Sequence, residues 1–147
     1  MEIFIQLALA ALLGGLIGLE RECRRKEAGL RTYALVCLGS ALFTIIGFNL
    51  PIIDNQTVSL DPTRIIQSVA IGVGFLGGGL IMRRQSRIEG LTTAAGLWVA
   101  AGIGVAVGAK LYTWAIFVAV LTVVILFGLL LLERKVFGRK EDEESPE

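Results

Sequence analysis

The stretch LYTWAIFVAVLTVVILFGLLLL, Leu111–Leu132, contains no proline and no Asp, Glu, Lys or Arg. It is long enough to cross a hydrocarbon layer of about 30 Å as an α-helix. Working outward from it, four more apolar runs appear: Ile3–Leu19, Thr32–Leu50, Ile65–Met82 and Leu91–Val107. The shortest hold 17 residues and extend about 26 Å at about 1.5 Å per residue, enough for a thin or locally compressed bilayer. The fold expected is all-α: a polytopic membrane bundle of five transmembrane helices.

Composition agrees. The chain is 54% apolar and 18% charged, against about 45–50% and about 25% for soluble domains, and its mean hydropathy is +0.73. These values exclude a soluble enzyme domain, a nucleic-acid partner and a disordered chain. With no histidine and only Cys23 and Cys37, a disulfide framework, a zinc finger and every His-based dyad are excluded too. Cys37 lies in an apolar run and reads as a small packing residue. Cys23 falls in a basic segment expected in the cytosol, and so is expected as a reduced thiol.

Ala8-Leu9-Ala10 mimics a signal-peptidase site, but the chain opens Met1-Glu2 and its basic residues follow the first run. A secretory signal has the reverse order, so this run is expected to remain as a span. Twelve of the 14 Lys and Arg fall on alternate connections: Arg21 to Arg31, Arg83 to Arg87, and Arg134 to Lys140. The positive-inside rule places that set in the cytoplasm, the N-terminus outside and the C-terminus inside. The expected location is a membrane, crossed several times, with the basic connections on its cytoplasmic face. Residues 1–132 are read as one transmembrane domain and 133–147 as a short charged, disordered cytoplasmic tail. Asp61-Pro62 reads as an N-cap followed by proline at the first helical position. Tyr112 and Trp114 read as an interfacial anchor.

Glycine spacing sets the packing expectation. Ala10, Gly14 and Gly18 repeat at four residues, as do Ala70, Gly74 and Gly78, and Thr92, Gly96, Ala100, Gly104 and Gly108. Small faces let helices approach closely in lipid, where the hydrophobic drive between helices is absent. Spans one, three and four are therefore expected at the centre and span five at the lipid-facing periphery. Gly77-Gly78-Gly79 could instead break span three to expose carbonyls; packing is the preferred reading.

No span carries an ionisable side chain away from its ends, which is where a proton-coupled pump or cation carrier would keep one. Magnesium favours carboxylates, and the acids lie at the two faces: Asp54 and Asp61 outside, and Glu20, Glu22, Glu27, Glu89 and Glu133 inside. Ser40, Thr44, Thr122 and similar residues can bond their own preceding turn. Gln67 reads as a helix bridge. Glu20 and Arg31 flank the first inner hairpin and could pair there, since the planar guanidinium fork suits such a contact. Arg21, Arg24, Arg25 and Lys26 read mainly as a solvated topology signal.

Gly14-Gly15-Leu16-Ile17-Gly18-Leu19-Glu20-Arg21, followed by Ala28-Gly29-Leu30-Arg31-Thr32, resembles the signature of MgtC/SapB membrane proteins. Gly72-Val73-Gly74-Phe75-Leu76-Gly77-Gly78-Gly79 and Gly90-Leu91-Thr92-Thr93-Ala94-Ala95, with Trp98 and Gly102-Ile103-Gly104 beyond, extend that resemblance over about residues 5–132. It implies an inner-membrane protein of low-magnesium growth, and a regulator that restrains the membrane ATP synthase in the family's founding member. Many members carry a cytosolic C-terminal domain where this chain has an acidic tail, and some carry Asn in place of Thr92.

The function expected is a non-enzymatic regulator in magnesium limitation or membrane-energy homeostasis, acting by helix contacts; the alternative is a cation transporter or channel. No nucleophile–base pair, cofactor or metal site is expected. The expected partners are the bilayer, a second copy of the chain and a membrane protein such as ATP synthase. Glu20, Arg21, Arg31, Thr32 and Thr92 form the candidate inner-face cluster. Gly14, Gly18, Gly74, Gly78, Gly96 and Gly104 are the candidate packing positions.

Overall fold

A computed structural model describes residues 1–49, 61–84 and 87–137. It contains five helices: α1 (Glu2–Cys23), α2 (Leu30–Asn49), α3 (Pro62–Leu80), α4 (Leu91–Gly108) and α5 (Tyr112–Phe137). All five are long and apolar enough to cross a membrane. Between α3 and α4 stands a small antiparallel hairpin, β1 (Met82–Arg84) on β2 (Arg87–Glu89), with Met82 opposite Glu89. No residue pattern announces it, and Met82, read as the end of span three, begins β1. α5 runs past Leu132 to Phe137; the expected disorder of the tail beyond 137 lies outside the described residues.

Local chemistry explains the helix ends. Asp61 accepts the Thr63 amide at 2.9 Å, with proline at the first turn of α3, the cap expected from sequence. α1 and α4 end in matching Schellman closures. Lys26 N–H donates to the Arg21 carbonyl and Arg25 N–H to Glu22; Leu111 N–H donates to Ala106 and Lys110 N–H to Val107. The left-handed residue at each closure is cationic, Arg25 (φ 52°) and Lys110 (φ 62°), where a positive charge meets the negative end of the helix dipole. Gly90 (φ 85°) opens α4 with its Cα against the Leu80 carbonyl, leaving no space for a Cβ.

The packing differs from the expectation at one helix. The centre is α1, α2 and α4, not α1, α3 and α4. α2 lies between the glycine faces of its two neighbours. A Cβ on Gly14 would stand 2.5 Å from the Tyr33 carbonyl oxygen, and one on Gly18 2.7 Å from the Leu30 Cα. From the other side, Gly96 faces the Tyr33 hydroxyl, Gly104 faces the Cys37 carbonyl, and a Cβ on Gly108 would stand 2.7 Å from the Ala41 carbonyl oxygen. Tyr33, Cys37 and Ala41 are fully buried as a result. Small residues on α1 and α4 thus admit the backbone of a third helix.

α3 packs against this core from outside, through one face on which Val73 and Gly77 are buried. It is one continuous helix through its glycine run. Only 17% of its span is buried, as for α5, against half of α4. Gly77 approaches Ala94, but Cβ atoms on Gly74 or Gly78 would meet nothing within 4 Å. Those two positions therefore make no packing contact among the described residues. Gln67 is exposed on the same helix, not a bridge between helices. α5 is peripheral as expected, burying Ala115, Ala119, Thr122 and Leu126 along one face.

Candidate functional site

The basic connections meet at one end of the bundle, where α1 ends, α2 and α4 begin, and the β1–β2 hairpin lies between α3 and α4. A buried polar network sits there. Arg21, on the last turn of α1 and 4% exposed, donates from Nη2 to the Thr93 hydroxyl at 2.7 Å. That hydroxyl donates onward to Glu27 Oε2 at 2.8 Å. Tyr33 donates its phenol O–H to the Thr93 carbonyl at 3.0 Å. One threonine therefore joins α1, the α1–α2 turn, α2 and α4. Bonds to charged groups in low-dielectric surroundings are the stronger kind.

Glu20 lies beside this network. Its carboxylate is nearly buried and stands 3.8 Å from Arg21 and in contact with Arg24. Charge, more than aligned hydrogen bonding, holds it, since neither carboxylate oxygen completes a hydrogen bond among the described residues. Arg24 also lies 5.4 Å over the Phe127 ring of α5, a cation–π contact. Arg24 is therefore a structural tie between helices, beyond the solvated charge expected of it. Burial pushes the Glu27 carboxyl up, but its own backbone amide, the Thr93 hydroxyl and the Lys26 and Arg21 charges outweigh that and hold it below its ordinary value.

Of the five residues expected to cluster, the structure brings Glu20 and Arg21 into the network. Arg31, Thr32 and Thr92 are exposed. Glu20 pairs with Arg21 and Arg24, and the hairpin register comes from Glu22, whose carboxylate accepts the Leu30 amide at 3.1 Å. That carboxylate satisfies a first-turn N–H of α2 at the positive end of its dipole. Thr93, not Thr92, is the buried threonine. The cause is helical phase: a four-residue stripe drifts about 40° per step from a helix advancing about 100° per residue. Two steps back from Ala100 put Thr92 on the rim and leave Thr93 facing inward.

The opposite end has its own ties. Gln6, buried in α1, donates to the Val107 carbonyl at 3.3 Å, a polar contact not recognised from sequence. Lys110 pairs with Glu2 at 2.8 Å on the surface, and hydrogen bonding to Glu2 raises the lysine's pKa. Ser40, Thr44, Ser68 and Thr122 each bond a carbonyl four residues back in their own helix, as expected of hydroxyls, and the Asn49 amide does the same.

Five spanning helices joined by glycine contacts, with charges collected at the ends, define a multi-pass membrane protein. The chain belongs to the MgtC family, whose profile matches residues 7–135. It is similar to YhiD of Escherichia coli strain K12, provisionally named a magnesium transporter, with 47% identity over 128 residues; the match covers 85% of this chain and 59% of YhiD. Protein MgtC of Salmonella typhimurium strain LT2 is 47% identical over 95 residues, which are 64% of this chain and 38% of that protein. Protein slr0014 of Synechocystis is 38% identical over 115 residues, 78% of this chain and 47% of its own length. The chain thus spans less than two thirds of these relatives. No solved structure matches.

Proposed function

We propose that this chain is a non-enzymatic regulator of the bacterial inner membrane, acting in magnesium limitation by helix contact with a membrane protein partner. The observation that carries this reading is the outer face of α3. Gly74 and Gly78 are open, with exposed Ile71 and Phe75 between and beside them. A small-residue face flanked by large apolar side chains is a common form of helix–helix interface in lipid. Two acids of the basic end are already engaged within the fold, Glu20 by Arg21 and Arg24 and Glu27 through Thr93. Among the described residues no three His, Cys, Asp or Glu gather as a cation site. The name of YhiD favours a second reading, magnesium transport.

Reconstitution with a growth assay separates the two. Purified protein in liposomes should produce no magnesium uptake above empty vesicles. Gly78→Leu should abolish growth at low magnesium at unchanged protein level, because the fold leaves room for the side chain. Protein-dependent magnesium uptake would establish transport instead. Normal growth of the Gly78→Leu strain would remove this face from the function.

A further inference from the structure

α2 and α3 touch where Gly47 meets Ile65, then part. The cleft between them measures about 790 Å³ and is lined by Leu35, Gly39, Phe43, Gly72 and Leu76, with Arg64 at one end. Cβ atoms on Gly39 or Gly72 would meet nothing within 4 Å, so the two glycines enlarge the space without joining the helices. The Ser40 and Ser68 hydroxyls also line it, but each donates at 2.8 Å to a carbonyl of its own helix. The walls therefore offer carbon along their length, and the guanidinium supplies the charge.

Dimensions narrow the occupant. From Arg64 to Leu76 the cleft follows about 18 Å of helix at about 1.5 Å per residue. One leaflet's share of a hydrocarbon core of about 30 Å is about 15 Å. An apolar slot one leaflet deep with a cation at its interfacial end matches a single lipid tail and its phosphate. The guanidinium fork pairs well with phosphate oxygens.

We propose that the α2–α3 cleft is a phospholipid-binding site: one acyl chain of an anionic phospholipid lies along Gly39 and Gly72 while Arg64 engages its phosphate. The lipid belongs to the leaflet on the Arg64 side. Bound there, it fills the gap beside α3 and fixes that helix against α2. The site stands on its own geometry and does not depend on the regulatory reading.

Native mass spectrometry of the full chain, released from nanodiscs of mixed phosphatidylglycerol and phosphatidylethanolamine, tests it. The intact chain should retain one lipid, with about fivefold preference for phosphatidylglycerol, the scale of one interfacial arginine on an anionic lipid. Arg64→Gln should keep the lipid and lose the preference. Gly72→Leu or Gly39→Leu, which fill the slot from opposite walls, should lose the retained lipid while keeping the helical circular dichroism spectrum. Equal retention by both filled variants overturns the site, as does absence of retained lipid from the intact chain. A disulfide dimer through Gly72→Cys in native membranes would give the cleft to a second copy and likewise overturn it.

Discussion

Arg21 and Thr93 lie 72 residues apart in sequence and 2.7 Å apart in space. Their contact closes α1 onto α4 at the basic end of the bundle. The threonine hydroxyl accepts from the guanidinium and donates to Glu27, so its loss strands two charged groups together. Thr93→Val keeps the volume and removes the oxygen. The cost should be about 1.5–3 kcal/mol, the range for hydrogen bonds to charged groups. Thr92→Val, one residue away and exposed, should stay within about 0.5 kcal/mol of the parent. Reversible unfolding in mixed micelles measures both, and equal effects would remove Thr93 from the network.

Glycines that look alike in sequence should separate by their surroundings. Gly104 lies against the Cys37 carbonyl, which is backbone and cannot rotate away. Gly104→Ala should therefore force α2 and α4 apart and destabilise by about 1–3 kcal/mol. Gly74→Ala meets open space and should stabilise by about 0.5–1 kcal/mol through helix propensity alone. Thermal melts of the two variants in one detergent should move in opposite directions. A large loss from Gly74→Ala would place that residue in a packed interface.

The five spans and the Asp61 cap were legible because hydrophobic length and capping are local properties. The assignment of partners was not local. Four-residue glycine spacing occurs in α1, α3 and α4, yet whether a small face is filled depends on which helix the turns bring opposite. Short closures at Arg25 and Lys110 hold α1 against α2 and α4 against α5, whereas α3 follows the long 50–61 connection. The network at the basic end was half legible. Glu20 and Arg21 announce themselves as charges beside a span, but choosing Thr93 over Thr92 needs the helical phase, and recognising Glu22 as the cap of α2 needs the turn. Gln6 was missed because a lone amide in an apolar run carries no pattern of its own.

Acid should loosen the basic end. The Glu27 carboxyl titrates below its ordinary value of 4.5. A depressed carboxylate contributes stability that is fully present above the unfolded value and lost as pH falls through the folded one. Unfolding midpoints should therefore carry the full Glu27 contribution and stay flat with pH near neutrality, then fall below about pH 4.5 as it protonates. Glu27→Gln should flatten that acid limb relative to the parent. Because the group is mostly solvated, the difference should be small, and parallel acid limbs for the two proteins would show that the Thr93 link does not hold the carboxylate.

Orientation can be read from the two cysteines already present. Cys23 is exposed at the basic end and Cys37 is buried in α2. If the basic end faces the cytoplasm, as the positive-inside rule requires, a membrane-impermeant maleimide should leave intact spheroplasts unlabelled at Cys23 and label it once they are opened. Lys110→Cys at the other end should show the reverse order. That substitution removes the exposed pair with Glu2 and the charge at the end of the α4 dipole, each a contact worth about 1 kcal/mol or less at the surface, so the bundle should persist. Cys37 should stay unlabelled throughout, because reaction would require α1 and α4 to leave α2. Labelling of Cys23 in intact spheroplasts would invert the topology and place the Arg21–Thr93–Glu27 network on the outer face, where no cytosolic factor could reach it.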